Sequence, residues 1–172
     1  VLSESGYKVG LFTSPFVVDF RERIQINGEM ISQENLAEII SEVKPVVEKL
    51  SKQGIEPTEF EIITITAFLY FLRQNCDIVV LEVGLGGLLD STNIIKKSEV
   101  SVITSISLDH TNILGDTLLK IAEQKCGIFK EGGNVVGYPQ PDFAVERFIK
   151  DKAKEKNCKY FPHELSKIRL VR

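Results

Sequence analysis

The apolar positions change their period several times along the chain, and each change marks an element. Residues 7–12 form a short apolar run that ends at Thr13-Ser14-Pro15. It reads as a strand, because proline restricts the residue before it and offers no ladder donor. Residues 16–25 have no clean period and read as an ordered loop, and Ile24-Gln-Ile-Asn27-Gly28 reads as a short strand entering an Asn-Gly turn. Behind a capping Ser32, Leu36, Ile39, Ile40, Val43, Val47 and Leu50 recur at helical spacing up to Gly54. Pro45 is expected to kink that helix or divide it in two. From Pro57-Thr58 to Asn75, Ile62-Ile-Thr-Ile-Thr66 has high β propensity, yet the Phe60/Ile63/Ala67/Tyr70 spacing favours a buried helix. An unbroken apolar run then reaches Leu81 and stops at Glu82, which predicts a strand covered on both faces. Further strands are expected over 99–104, 134–138, 159–161 and 168–171. Helices are expected from Asp116-Thr117 through Phe129 to Gly132-Gly133, and over 142–156 with Phe143, Val145 and Phe148 facing the core.

Strands alternating with helices predict an α/β fold, a mostly parallel sheet flanked by helices. A length of 172 residues suits one domain with a full hydrophobic core. Apolar and charged contents of 43% and 26% are ordinary for a globular protein. A net charge of −3 with scattered Lys and Arg gives no electrostatic footprint for nucleic acid. No apolar run approaches a membrane span and no leader pattern stands at the start, so no membrane partner is expected. The three cysteines, Cys76, Cys126 and Cys158, share no metal-binding spacing and suit reduced thiols in a cytoplasmic protein. Cys76 and Cys126 lie among apolar residues and read as small buried hydrophobes. Val1-Leu-Ser-Glu-Ser-Gly6 reads as the last turns of a helix closed by Gly6, so the chain is expected to be a fragment.

The chemistry concentrates after Leu81. Ligands in parallel sheets sit beyond the carboxyl ends of the strands, where Glu82 and Gly84-Leu-Gly86-Gly87 would lie. A buried acid there asks for a metal or a base. The strand over 99–104 is followed by Asp109-His110. If the two strands are neighbours, a carboxylate and an imidazole meet at one edge of the sheet, a set that suits Mg²⁺ or Mn²⁺. A lone Asp-His pair otherwise reads as a loop cap. The glycine turn fails the dinucleotide fingerprint, because position 89 is leucine where the third glycine should be. The chain also contains no Gly-x-x-x-x-Gly-Lys-[Ser/Thr] phosphate loop, and such a loop is expected upstream.

Several linked blocks, in order, resemble the folylpolyglutamate synthase/dihydrofolate synthase family of Mur-type ATP-dependent ligases. They are Thr13-Ser-Pro, Arg21-Glu-Arg-Ile24, Leu81-Glu-Val-Gly-Leu-Gly-Gly87, Leu89-Asp-Ser-Thr-Asn93, Asp109-His110 with Leu114-Gly115, and Ile121-Ala-Glu-Gln-Lys125-Cys-Gly-Ile128. The resemblance implies a Mur ligase central-domain-like, P-loop NTPase-like fragment over 1–172. By that resemblance Glu82 ligates a Mg²⁺ bridging nucleotide phosphates, and His110 ligates a second metal. Lys125 matches a lysine carbamylated by carbon dioxide that would ligand the same metal, a reaction needing burial to free the amine. Without the resemblance, Lys125 reads as a surface helix lysine. Ser14 and the loop around Arg21 and Arg23 match a mobile loop beside substrate and phosphates, Asp90 matches an acid near the pterin, and Asn93 reads as a turn-fixing residue.

The implied activity joins L-glutamate to a folate or dihydropteroate carboxylate through an acyl phosphate made with ATP. Phe16 stands where the family usually has histidine and Leu88 where it usually has arginine, which bears on the choice of folate. The other readings are a non-catalytic α/β binding module and a Mur-type ligase for a cell-wall precursor. A monomer is expected, and the chain alone is expected to be inactive.

Overall fold

The computed structural model describes residues 1–162, so the strand expected over 168–171 lies outside the described residues. The chain divides into two compact units, Val1–Gly84 and Leu85–Arg172.

In the first unit, a 3₁₀ turn over Ser3–Ser5 closes on Gly6 in the left-handed conformation, and strand β1 follows at Val9–Phe12. The loop that follows holds a second 3₁₀ turn, Phe20–Arg23, and leads into β2 at Ile24–Ile26 and β3 at Glu29–Met30. Asn27 and Gly28 both take positive φ in the intervening turn, as an Asn-Gly hairpin requires. Helix α1, Gln33–Ser51, starts on the Ser32 hydroxyl, which accepts the Asn35 amide. It runs through Pro45 without dividing. Pro45 is exposed, so the carbonyl deprived of its helical donor faces water instead of a dry interior. Helix α2, Glu59–Arg73, opens with a capping box between Thr58 and Glu61, and the β-branched run at 62–66 is helical within it. The core of this unit gathers Phe12, Ile24, Ile31, Ile39, Ile63 and Phe71.

Strand β4 is Ile78–Leu81 and pairs in parallel with β1, in the register Phe12↔Leu81. The sheet order β3-β2-β1-β4 makes it an edge strand, and the pairs β1–β2 and β2–β3 are antiparallel. The expected cover on both faces is not found: Val79 and Val80 are 37% and 42% exposed, as a strand with one described neighbour allows.

The second unit carries a parallel sheet of order β5-β6-β7, formed by Val100–Ile103, Asn134–Gly137 and Lys159–Pro162. Among the described residues β4 pairs with β1 and β5 with β6, and β4 and β5 are not hydrogen-bonded neighbours. A short helix α3, Thr111–Leu114, follows the β5 exit. Helix α4 spans Leu118–Cys126 behind the Thr117 cap and ends well before Gly132. Helix α5 is Phe143–Glu155, capped by Asp142, and buries Val145, Ile149 and Ala153. Phe143, expected on that face, is 88% exposed, since the first residue of the helix lies beyond the strip that packs. Gln140 is buried and staples the β5 exit: its amide oxygen accepts the Ile106 amide and its amide nitrogen donates to the Thr104 and Tyr138 carbonyls. Among the described residues no helix is long and apolar enough to cross a membrane.

Phe12 is fully buried and central to the first unit. Phe12→Ala is expected to lower unfolding stability by about 3–5 kcal/mol in a urea titration.

Candidate functional site

Glu82 stands one residue past β4, and its amide extends the ladder by donating to the Phe12 carbonyl at 2.9 Å. That register carries the chain leaving β1 to the same strand end. The Glu82 Oε2 atom accepts the Ser14 amide at 2.8 Å and the Thr13 hydroxyl. Glu82 is exposed, so the reading of a buried acid is corrected. A strand-end residue on an edge strand reaches solvent, and two local donors hold its carboxylate in place. The Ser14–Pro15 peptide is cis. Sequence reasoning gives the Thr13 hydroxyl no role of its own. It matters through a contact 69 residues away, which no local pattern carries.

The loop over 16–23 is built by two acids. Glu22 accepts the amides of Val17, Val18 and Asp19 at 2.8, 3.1 and 2.8 Å, which holds its carboxyl below the usual glutamate range. Asp19 caps the 3₁₀ turn through the Arg21 amide and takes the Arg21 guanidinium in a forked pair, Nε at 3.0 Å and Nη2 at 2.7 Å. The Arg21 pair brings the Asp19 pKa down to about 2. Arg21 is therefore engaged inside its own loop. Arg23 differs: its guanidinium lies 5.3 Å from the Phe16 ring centroid and 5.5 Å from that of Phe20, and its Nε is buried without a hydrogen-bond partner. The loop thus holds one cation paired with a carboxylate and one packed on two aromatic rings.

In the second unit, Asp90 shapes the glycine turn. Its Oδ2 accepts the Leu85 amide at 2.9 Å, and its Oδ1 accepts the amide and hydroxyl of Thr92 at 2.9 and 2.5 Å. This is an Asx-type turn, so the carboxylate expected near a substrate is occupied at least partly with its own backbone. Gly86 and Gly87 both have positive φ and are buried. Leu88 and Leu89 are exposed beside them, at 47% and 91%.

His110 follows the β5 exit in the left-handed conformation, with φ of 48°. It occupies the N-cap position of α3, and its side chain makes no capping hydrogen bond. Asp109 accepts the His110 amide at 2.8 Å, and its other oxygen lies 3.7 Å from His110 Nε2. Lys125 sits on the last turn of α4 and is half-buried. The adjacent Cys126 is buried against the core, which pushes its thiol up to about 12, while Cys76 is only half-buried. The three cysteines are free.

The structure brings Ser14 to Glu82, whereas Glu82 belongs to the first unit and Asp90, His110 and Lys125 to the second. Among the described residues no three His, Cys, Asp or Glu side chains gather into a ready-made metal cage.

The profile of the Mur ligase middle domain matches residues 29–167. The chain is 49% identical to a dihydrofolate synthase/folylpolyglutamate synthase of Bacillus subtilis, over 79% of this chain and 32% of that protein. It is 42% identical to a mitochondrial folylpolyglutamate synthase of Bos taurus, over 92% of this chain and 27% of that protein. Among solved structures it resembles the apo form of L. casei FPGS, with a TM-score of 0.87 and 38% identity over 94% of this chain and 39% of that one. An FPGS-AMPPCP-folate complex gives a TM-score of 0.88 and 39% identity over 94% and 39% of the two chains. The chain spans about a third or less of the length of these curated relatives.

The Asp19–Arg21 fork predicts a pH dependence for the loop. A carboxyl whose folded pKa is depressed contributes stability at neutral pH that is lost as pH falls through the folded value of about 2. In a carboxyl NMR titration Asp19 is expected to protonate near 2, and in Arg21→Met to move up toward the ordinary aspartate range.

Proposed function

The chain belongs to the Mur ligase middle domain family, and from that premise we propose that its full-length protein is an ATP- and Mg²⁺-dependent folylpolyglutamate synthase, dihydrofolate synthase, or both. The observation that carries the reading is Glu82: a strand-end carboxylate with one oxygen anchored by Thr13 and Ser14 and the other not bonded to them. A fixed, exposed hard oxygen is what a magnesium ion with mostly water and phosphate ligands needs.

In the proposed reaction the substrate carboxylate attacks the γ-phosphorus of ATP. The β–γ bridging bond breaks, giving an acyl phosphate and ADP. The L-glutamate amine then attacks the acyl carbon, its proton leaves to solvent or a base, and phosphate departs as the C–O bond breaks. Magnesium, when bound, would offset the charge of the phosphates. Glu82 would hold one ion, and His110 with Lys125 would serve a second. Ser14 lies beside Glu82 and would lie by the nucleotide phosphates. Arg23, whose Nε has no hydrogen-bond partner, would meet an anionic substrate group, while Arg21 would act by keeping that loop in shape through Asp19. Asp90 would present the glycine turn to the pterin side. The Lys125 amine, its ammonium proton lost to solvent, would form an N–C bond to carbon dioxide and release a second proton to solvent, leaving an anionic carbamate ligand. We take the setting as cytoplasmic and the enzyme as a monomer with small-molecule substrates.

The test is ligation by the full-length gene product with ATP, Mg²⁺ and L-glutamate. Dihydropteroate or tetrahydrofolate should be glutamylated with ADP released, and a cell-wall nucleotide precursor should not. Absence of folate ligation overturns the reading. Glu82→Gln should lower kcat by roughly 100-fold or more, with melting little changed, because Glu82 is exposed. An intact-mass gain of one carbon dioxide, lost in Lys125→Ala, is required if Lys125 is carbamylated. The 172-residue chain lacks a phosphate-loop sequence and should by itself give no ATP-dependent product.

A further inference from the structure

The glycine turn and the end of α4 are joined by two side chains that the proposed reaction does not call on. The Asn93 Nδ2 atom donates to the carbonyls of Leu88 and Gly127, both at 3.1 Å. The Lys130 ammonium reaches the same residue, 2.9 Å from the Asn93 carbonyl and 2.7 Å from Oδ1. Every polar atom of the Asn93 side chain is therefore engaged, tying residues 88, 127 and 130 into one network. Both side chains are half-buried, and desolvation lowers the Lys130 pKa from the usual lysine value. Among the described residues no carboxylate pairs with this ammonium, and the oxygens that receive it are those of Asn93. A partly desolvated cation satisfied by one asparagine is a poor choice for a generic surface staple.

The network closes on a tight backbone approach. The Leu88 amide donates to the Gln124 carbonyl at 2.8 Å. A Cβ on Gly87 would lie 2.7 Å from that oxygen and 3.0 Å from the Lys125 carbonyl oxygen. A Cβ on Gly127 would run into Leu88. The turn thus lies directly on the last carbonyls of α4, including that of Lys125. We propose that Asn93 and Lys130 are positioning residues for Lys125, holding the end of α4 at a fixed place against the glycine turn. The proposal rests on the reading of Lys125 as a residue of the ligase reaction.

The test uses the full-length protein and two readings. Asn93→Asp keeps oxygens for the Lys130 ammonium but loses the donor to both carbonyls. Lys130→Met keeps the aliphatic stem and loses the ammonium. Amide hydrogen exchange at Leu88 should quicken about 10-fold or more in both variants, as a held amide is released. The kcat should fall about 10–100-fold, as when outer support of a reacting group is removed, with the KM for ATP unchanged and the melting midpoint above the assay temperature. Wild-type kcat in folded variants overturns the proposal, as does unchanged exchange at Leu88. A rise in KM for ATP matching the loss in kcat also overturns it, since that marks a general loosening. If either variant fails to fold, Asn93→Ser and Lys130→Gln take the same two readings. A wild-type protein without ligase activity sinks the functional reading instead, and the exchange at Leu88 then decides whether the network holds the turn.

Discussion

At Gly87 the backbone passes so close to the end of α4 that no side chain fits between them. Only a residue without a Cβ can place its main chain against the Gln124 and Lys125 carbonyls. From that approach the rest of the second unit's chemistry takes its place. The Gln124 carbonyl is drawn to the Leu88 amide and the Gly127 carbonyl to Asn93. The helix therefore stops at Cys126, although the apolar spacing could have carried it to Phe129. Lys125 ends up in the final turn, where its main chain is held on one side by the glycine turn and on the other by the Cys126 core contact.

A comparable register effect governs the first unit. The parallel pairing of β1 with β4 brings two strand ends level, so that Thr13 and Ser14 meet Glu82. The carboxylate is aimed by backbone hydrogen bonding before any ligand arrives. In the proposed reaction a carboxylate preset in this way would need no rearrangement.

The helices and strands were legible where their signals are local. Ser32, Thr58, Thr117 and Asp142 each cap the helix they precede, and the Asn27-Gly28 turn follows from its two residues. What the sequence could not convey depends on tertiary contact. The end of α4 is set by Leu88 and Asn93, and the exposure of Val79 and Val80 by the edge position of β4. Short elements such as α3 and β3 lack a period long enough to read. At the site, Glu82 was visible as the polar stop of an apolar run, while the Thr13 hydroxyl that holds it was not. Asp90 carries a readable Asx-turn signal in Asp-Ser-Thr, and its carboxylate caps the turn that follows. Asn93 was recognisable as turn-fixing, but its partner Lys130 lies 37 residues on and became visible only in three dimensions.

Glu22 gathers three successive backbone amides, so the path of the loop beneath it is set by one acid. Val17 and Val18 lie on that path with their side chains in solvent, each 86% exposed. Shape and surface are therefore under separate control in this segment. Substitutions at 17 and 18 can change what the loop presents without changing where it runs. Such a segment can vary in sequence over evolutionary time while the strand ends it adjoins stay as they are.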